Sequence, residues 1–517
     1  MAISSRWAFC AFSCLFVAIN SGCSKREPPA APTEKILRIS QRNEPATLDP
    51  QLATLPDEFF IIRALGEGLL TPNPDGGAPL PGVAERYEVS PDGLIYTFHL
   101  RANAKWSNGD PVTTYDFQAS YFEALLPMRA APKASLFFPI KNAKAFYEGK
   151  LSSIIEVGIA TPDKHTLVIT LEEPNADFLS IVASGSWIPR HRDNVGCQQI
   201  GPENATTRLS NGPFILTEWK PNQHISVRKS PHYWDAANVK LDGIRFLAMD
   251  NGDTEERAFR AGQLDVTMAV PFTKLAGYRA EQPSPLRSVP LSETRYIALN
   301  TTRPPLDDAR VRRALALALD RQTLVEKVVL TGQPAFNFVP TGLGDFTPAT
   351  RLAEDTDEAR RLLAAAGFPS GRGFPRLELA TWVNSPVLEA VQQRWRRELG
   401  IEVALAQREA RTHLAALAGG DYAMAFMTAI PDYDSAADLL TQLTTGNPGN
   451  YPHWHDAGFD QLVAASDWPA AEKLLLEAMP LIPLYFNAQN FLVAPRVKNW
   501  RADRLWTRFY RGVSVER

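Results

Sequence analysis

The stretch GDYAMAFMTAIPDYDSAADLL, Gly420 to Leu440, constrains the chain more than any other. Tyr422, Met424, Phe426 and Thr428 alternate with Ala423, Ala425, Met427 and Ala429, a period of two uninterrupted by proline. Both faces are apolar, so the segment is expected to be a strand covered on both sides. Pro431 stops it, and Asp432, Asp434 and Asp438 follow at once. Such an ending sets the last main-chain groups and one fixed carboxylate where a cleft could open. The main chain could then pair with an extended peptide while the carboxylate holds an ammonium. The same pattern also fits a core strand followed by an acidic helix-capping turn.

A chain of 517 residues exceeds one core and suggests roughly three domains. The net charge of -3 gives no support for a nucleic-acid partner. The N-terminus has the parts of an export signal: Arg6, then the apolar run from Trp7 to Ile19, which is too short to span a bilayer. Ser21, Gly22 and Cys23 follow, then a polar, proline-rich segment. Small residues before a cysteine resemble a bacterial lipoprotein processing site, which would make Cys23 a lipid anchor and residues 1–35 signal plus tether. Asn20 departs from the Leu usual three residues before that cysteine. Ordinary signal cleavage that removes Cys23 is the alternative. Cys10 and Cys14 lie within the signal, so only Cys197 remains beyond Cys23 and the folded body has no internal disulfide.

Helical spacing of Phe59, Ile62, Leu65 and Leu69 predicts a helix from Pro56 to Leu70, and Thr113 is placed to cap a helix that follows it. Asp308 is placed to cap another, with Val311, Ala314, Leu315, Ala318 and Leu319 on its apolar face and Arg310, Arg312 and Arg313 outside it. Asp320 and Arg321 read as a surface pair near its end. Glu358 to Phe368 reads as an amphipathic helix closed by Gly367, and Leu377 to Ala406 as strand, helix, strand.

Several blocks carry a family resemblance. EPATLDP near Glu44 is followed by LPGVAERYEVSPDGLIYTFHLRANAKWSNGDPVTTYDF, then by NGPFILTEW from Asn211, SPHYWDA from Ser230 and RAGQLDVTM from Arg260. ETRYIALNTTRPPLDDARVRRALALALDRQTLVEKVV, from Glu293, is the strongest. In this order they resemble the bacterial solute-binding proteins, family 5, of oligopeptide and dipeptide ABC transporters, from about Ile36 to the C-terminus. The resemblance implies an α/β, periplasmic binding protein-like fold. Two main lobes would be joined by a two-strand hinge near Pro290 and Phe486, with an extra inserted lobe. Lobe one would take residues 36–66, 187–291 and 487–517; lobe two, the insertion, residues 67–186; lobe three, residues 292–486. The implied ligand is a short peptide, the implied partner a membrane permease, and the implied place periplasmic or extracytoplasmic. The protein would act as a monomer, without cofactor or catalysis.

Aligned without gaps, Asp432 falls where peptide-binding members pair an Asp with the ligand's α-ammonium, and Tyr433 follows it. Thr428, Ala429 and Ile430 would offer main-chain groups to the peptide. Tyr296 and Asn300 match positions that line the cleft in relatives, although an ordinary core Tyr and a turn Asn fit equally. Two departures stand out. Peptide binders often carry an aromatic where Ala429 stands, and some carry a carboxylate-binding Arg where Phe426 stands. They leave room for a sugar, a nickel chelate or a modified peptide. A peptide-sensing receptor and a secreted hydrolase are alternatives of other classes, but no nucleophilic set stands out. His453-Trp454-His455-Asp456 lacks further ligands to complete a metal shell and reads as a helix start.

Overall fold

The computed structural model describes residues 34–192, 201–202, 207–383 and 385–516. Cys23 and Cys197 lie outside them. The body from Lys35 onward forms one unit.

The chain opens with β1 (Ile36–Gln41) and α1 (Pro56–Leu65). It then builds β2 (Ala84–Val89), β3 (Ile95–Leu100), α2 (Thr114–Leu125), β4 (Ile159–Ala160) and β5 (Thr166–Thr170). These strands pair as β2-β3-β5-β4, a four-stranded sheet inserted whole between β1 and that strand's partners. β6 (Phe214–Lys220), β7 (His224–Lys229) and β8 (Gly243–Ala248) return the chain to β1, in the order β1-β8-β7-β6. β1 and β8 run parallel and the rest of that sheet is antiparallel.

β9 (Leu286–Leu299) leads into the third sheet. After it come α3 (Ala309–Leu317), β10 (Gln333–Pro334), α4 (Thr356–Ala365), β11 (Leu377–Thr381), α5 (Pro386–Leu399), β12 (Val403–Gln407) and β13 (Met424–Ala429). α6 (Ala436–Leu440), α7 (Trp468–Ala478) and β14 (Leu481–Leu492) complete it. The six strands lie in the order β10-β14-β9-β13-β11-β12. β13 is therefore central, and Met424 to Met427 are buried, as two apolar faces require. β9 and β14 pair along most of their length, with the register slipping between Pro290 and Thr294. At the slip, buried Glu293 accepts from Asn487 Nδ2 at 3.0 Å and Trp506 Nε1 at 2.9 Å. One carboxylate thus ties both long strands to the C-terminal segment.

Local readings hold where a cap fixes them. Thr113 and Asp116 form a capping box at the start of α2, and the Asp308 carboxylate accepts from Arg310 N at 2.8 Å. Three readings need correction. α1 stops at Leu65, because Gly66 turns extended and Leu70 pairs with Pro81. Arg312 is buried, donating to the carbonyls of Leu306, Asp307, Ala478 and Met479. Arg321 is fully buried, donating to Pro483 O at 2.7 Å and Ala316 O at 3.2 Å and pairing with Glu354 at 3.1 Å. It knits a helix end to β14, which a surface pair could not do.

Candidate ligand-binding site

The turn after β13 projects into a cavity of about 2180 Å³. Its walls come from segments attached to all three sheets: Phe59 and Arg63 on α1, Lys133 and Asp177 of the inserted sheet's region, and Ile430 to Ala436 after β13. Leu291, Asn487, Arg504 and Trp506 add the region where β9 and β14 cross.

Pro431 follows the strand, and Asp432 after it lines the cavity. The turn is held rigid from behind. Asp432 N donates to Asp438 Oδ2 at 2.5 Å, Gly344 N donates to Asp434 Oδ1 at 2.9 Å, and Ser435 caps α6. Ser435 Oγ also donates to Asp177 Oδ2 at 2.8 Å, joining the turn to the inserted region. Lys133 reaches across from the same region and its Nζ pairs with Asp432 Oδ1. The same ammonium lies 4.9 Å from the centre of the Phe59 ring, a cation–π contact.

Four carboxylates, those of Asp177, Asp432, Asp434 and Asp438, thus gather near one lysine. Burial, with Asp432 beside it, pushes the Asp438 carboxyl well above the usual range, and burial raises Asp177 against its bond from Ser435. The Tyr433 ring leaves the turn and packs among the apolar residues around Phe178 and Trp187, and burial raises its phenol.

The residues singled out from the sequence divide. Ile430, Asp432 and Tyr433 line the cavity. Thr428 and Ala429, the last residues of β13, are half-buried and are not among the residues lining the cavity. β11 pairs with β13 only at Met424 and Ala425, so from Phe426 to Ala429 that edge of β13 has no strand neighbour among the described residues. Thr428 Oγ1 is buried and has no hydrogen-bond partner among the described residues. Tyr296 and Asn300 do not line the cavity. Tyr296 is buried against Phe338, ring centres 5.4 Å apart. Asn300 lies past the far end of β9, where its amide donates to Gly420 O at 3.0 Å and Tyr422 O at 3.1 Å. Phe426 packs in the core of the third sheet. Asp456 caps the helix after the His-Trp-His run by accepting from Phe459 N at 3.0 Å. Sequence reasoning missed Arg63, Lys133 and Asp177, which carry no motif and gain meaning only from distant partners.

The family profile described as "Bacterial extracellular solute-binding proteins, family 5 Middle" matches residues 78–451. The chain belongs to this family. Family 5 proteins bind solutes and are not enzymes, and their place is extracytoplasmic. The chain is 32% identical to the periplasmic murein peptide-binding protein MppA of Escherichia coli over 486 residues, 89% of each chain. It is 31% identical to the probable deoxycholate-binding periplasmic protein YgiS of the same organism over 494 residues, 91% of each. A solved structure of MppA overlays with a TM-score of 0.84 at 30% identity, covering 93% of this chain and 99% of that one. The unliganded open form of MppA overlays at 0.73, covering 93% and 98%. Haemophilus influenzae OppA in complex with the peptide RPPGFSPFR overlays at 0.82 and 27% identity, covering 94% of this chain and 99% of that one.

Proposed function

We propose that the protein binds short peptides in this cleft and delivers them to an ABC permease. The observation that carries the reading is Asp432, fixed at the cavity wall after a strand edge that has no strand neighbour among the described residues. The ligand's α-ammonium binds Asp432 Oδ2, since Lys133 holds Oδ1. Asp177 and Asp434 balance the second positive charge. Main-chain groups of Thr428, Ala429 and Ile430 pair with the ligand backbone, which makes binding tolerant of side chains. Peptide ligands named for MppA and OppA support this reading.

The lobes follow the three sheets: residues 36–66, 187–291 and 487–517; residues 67–186; and residues 292–486. They close about a hinge near Pro290 and Phe486, where the ladder between β9 and β14 is interrupted. The protein works as a monomer, held to the membrane by lipid on Cys23, which lies outside the described residues. Cys23→Ala abolishes fatty-acid labelling if so.

The central test is calorimetry on Asp432→Asn. Binding of trialanine should weaken about 10- to 100-fold, because a charge-assisted contact is lost and Lys133 is left to repel the ammonium. N-acetyl-trialanine should be affected about two-fold or less, and equal losses for both peptides refute the amine contact. A non-peptide solute is the second reading, favoured by the partial neutralisation of Asp432 by Lys133. Mass spectrometry of what co-purifies separates the two.

A further inference from the structure

α1 turns one face to the cavity, presenting Leu55, Phe59 and Arg63 at four-residue intervals. The cations along the walls differ in what they already hold. Lys133 is paired with Asp432. Arg504 donates to Ser292 Oγ and to the carbonyls of Thr341 and Gly342. Arg279 is exposed at the rim. Arg63 is half-buried, and its guanidinium makes one hydrogen bond among the described residues, from Nη2 to Ala183 O at 3.3 Å. No described carboxylate is in ion-pair contact with it; Asp503 acts on it only at longer range. Burial lowers its pKa to about 10, so it keeps its charge at neutral pH. A guanidinium offers five donors in a planar fork, and most of this one's remain for a partner facing the cavity.

We propose that Arg63 binds the ligand's carboxylate, so that the preferred ligands are peptides with a free C-terminus. This rests on the peptide reading above and deepens it. Lys133 Nζ touches both Asp432 and the Phe59 ring, and Arg63 stands one helical turn beyond Phe59. Asp432 and Arg63 are thus separated by something on the order of 10 Å. An extended chain of about three residues spans that distance. One wall of the cleft therefore reads both ends of a short peptide, and the rest of the 2180 Å³ accommodates side chains.

The test is equilibrium dialysis with an equimolar tripeptide library as free acids, and the same library as C-terminal amides, quantified by mass spectrometry. The wild-type protein should retain acids over amides by about 10- to 100-fold, the worth of a charge-assisted pair. Arg63→Gln should lose that preference while retaining amides as before, and Arg63→Lys should restore part of it. Equal retention of acids and amides by the wild type overturns the role of Arg63 without need of any variant. So does an equal loss of both in Arg63→Gln, which would mark a purely structural residue. Retention of neither library overturns the peptide reading itself, and the inference with it.

Discussion

Lys133 Nζ and Asp432 Oδ1 form an ion pair between residues 299 positions apart in the chain. Both side chains are mostly buried, so the pair is less screened than one at the surface. Lys133 competes with any ligand ammonium for the same carboxylate. Lys133→Met should therefore tighten binding of trialanine by about 3- to 10-fold, by calorimetry, since it removes a like charge from the subsite. A loss as large as that of Asp432→Asn would show that Lys133 assists the ligand instead.

Tyr433 joins the turn after β13 to the apolar cluster around Phe178 and Trp187. Truncating a buried aromatic typically costs about 3–5 kcal/mol. Where the ring bridges two bodies able to part, the cost falls on their contact. Tyr433→Ala should thus enlarge the radius of gyration in small-angle scattering, with Tyr433→Phe near wild type. An unchanged radius with a large drop in unfolding temperature would make Tyr433 an ordinary core residue.

Buried Glu472 accepts from Phe338 N at 3.0 Å and Val339 N at 2.7 Å, fixing the segment that leads into the cavity-lining loop from Pro340. Burial raises its pKa from the ordinary 4.5 to about 7 despite those bonds. The folded state therefore holds this proton more tightly than the unfolded chain. Its contribution to stability is complete below pH 4.5 and is lost as pH rises through 7. The stability of the wild type relative to Glu472→Gln should fall by about 3 kcal/mol across that window, measured by urea unfolding. A difference that stays flat with pH rules out this titration.

Gly332 has φ +74°, and a Cβ there would lie 2.2 Å from Phe486 O. Both the left-handed backbone and the close approach to β14 require glycine. Gly332→Ala should cost about 1–3 kcal/mol in urea unfolding. A change within about 0.5 kcal/mol would mean that the strand yields freely at this point.

The sequence made the strand into the site legible, because β13 alternates without a break and Pro431 marks its end. It also announced the Asp432 turn. Arg321 and Arg312 were misread because nothing local distinguishes a surface arginine from one that collects carbonyls from distant segments. Tyr296 lies on β9, which also runs through the crossing region, and Asn300 directly follows it, but their positions put one in the core and the other past the strand's far end. Arg63 and Lys133 were invisible for a related reason. Their roles depend on partners, Ala183 and Asp432, that only the closed chain path brings near.

The cavity takes one wall from Phe59 and Arg63 and another from Arg504 and Trp506, which lie far apart along the chain. A polypeptide crossing a membrane N-terminus first cannot assemble this receptor until its final segment has emerged. Formation of the solute cleft therefore waits on the last part of the body to fold.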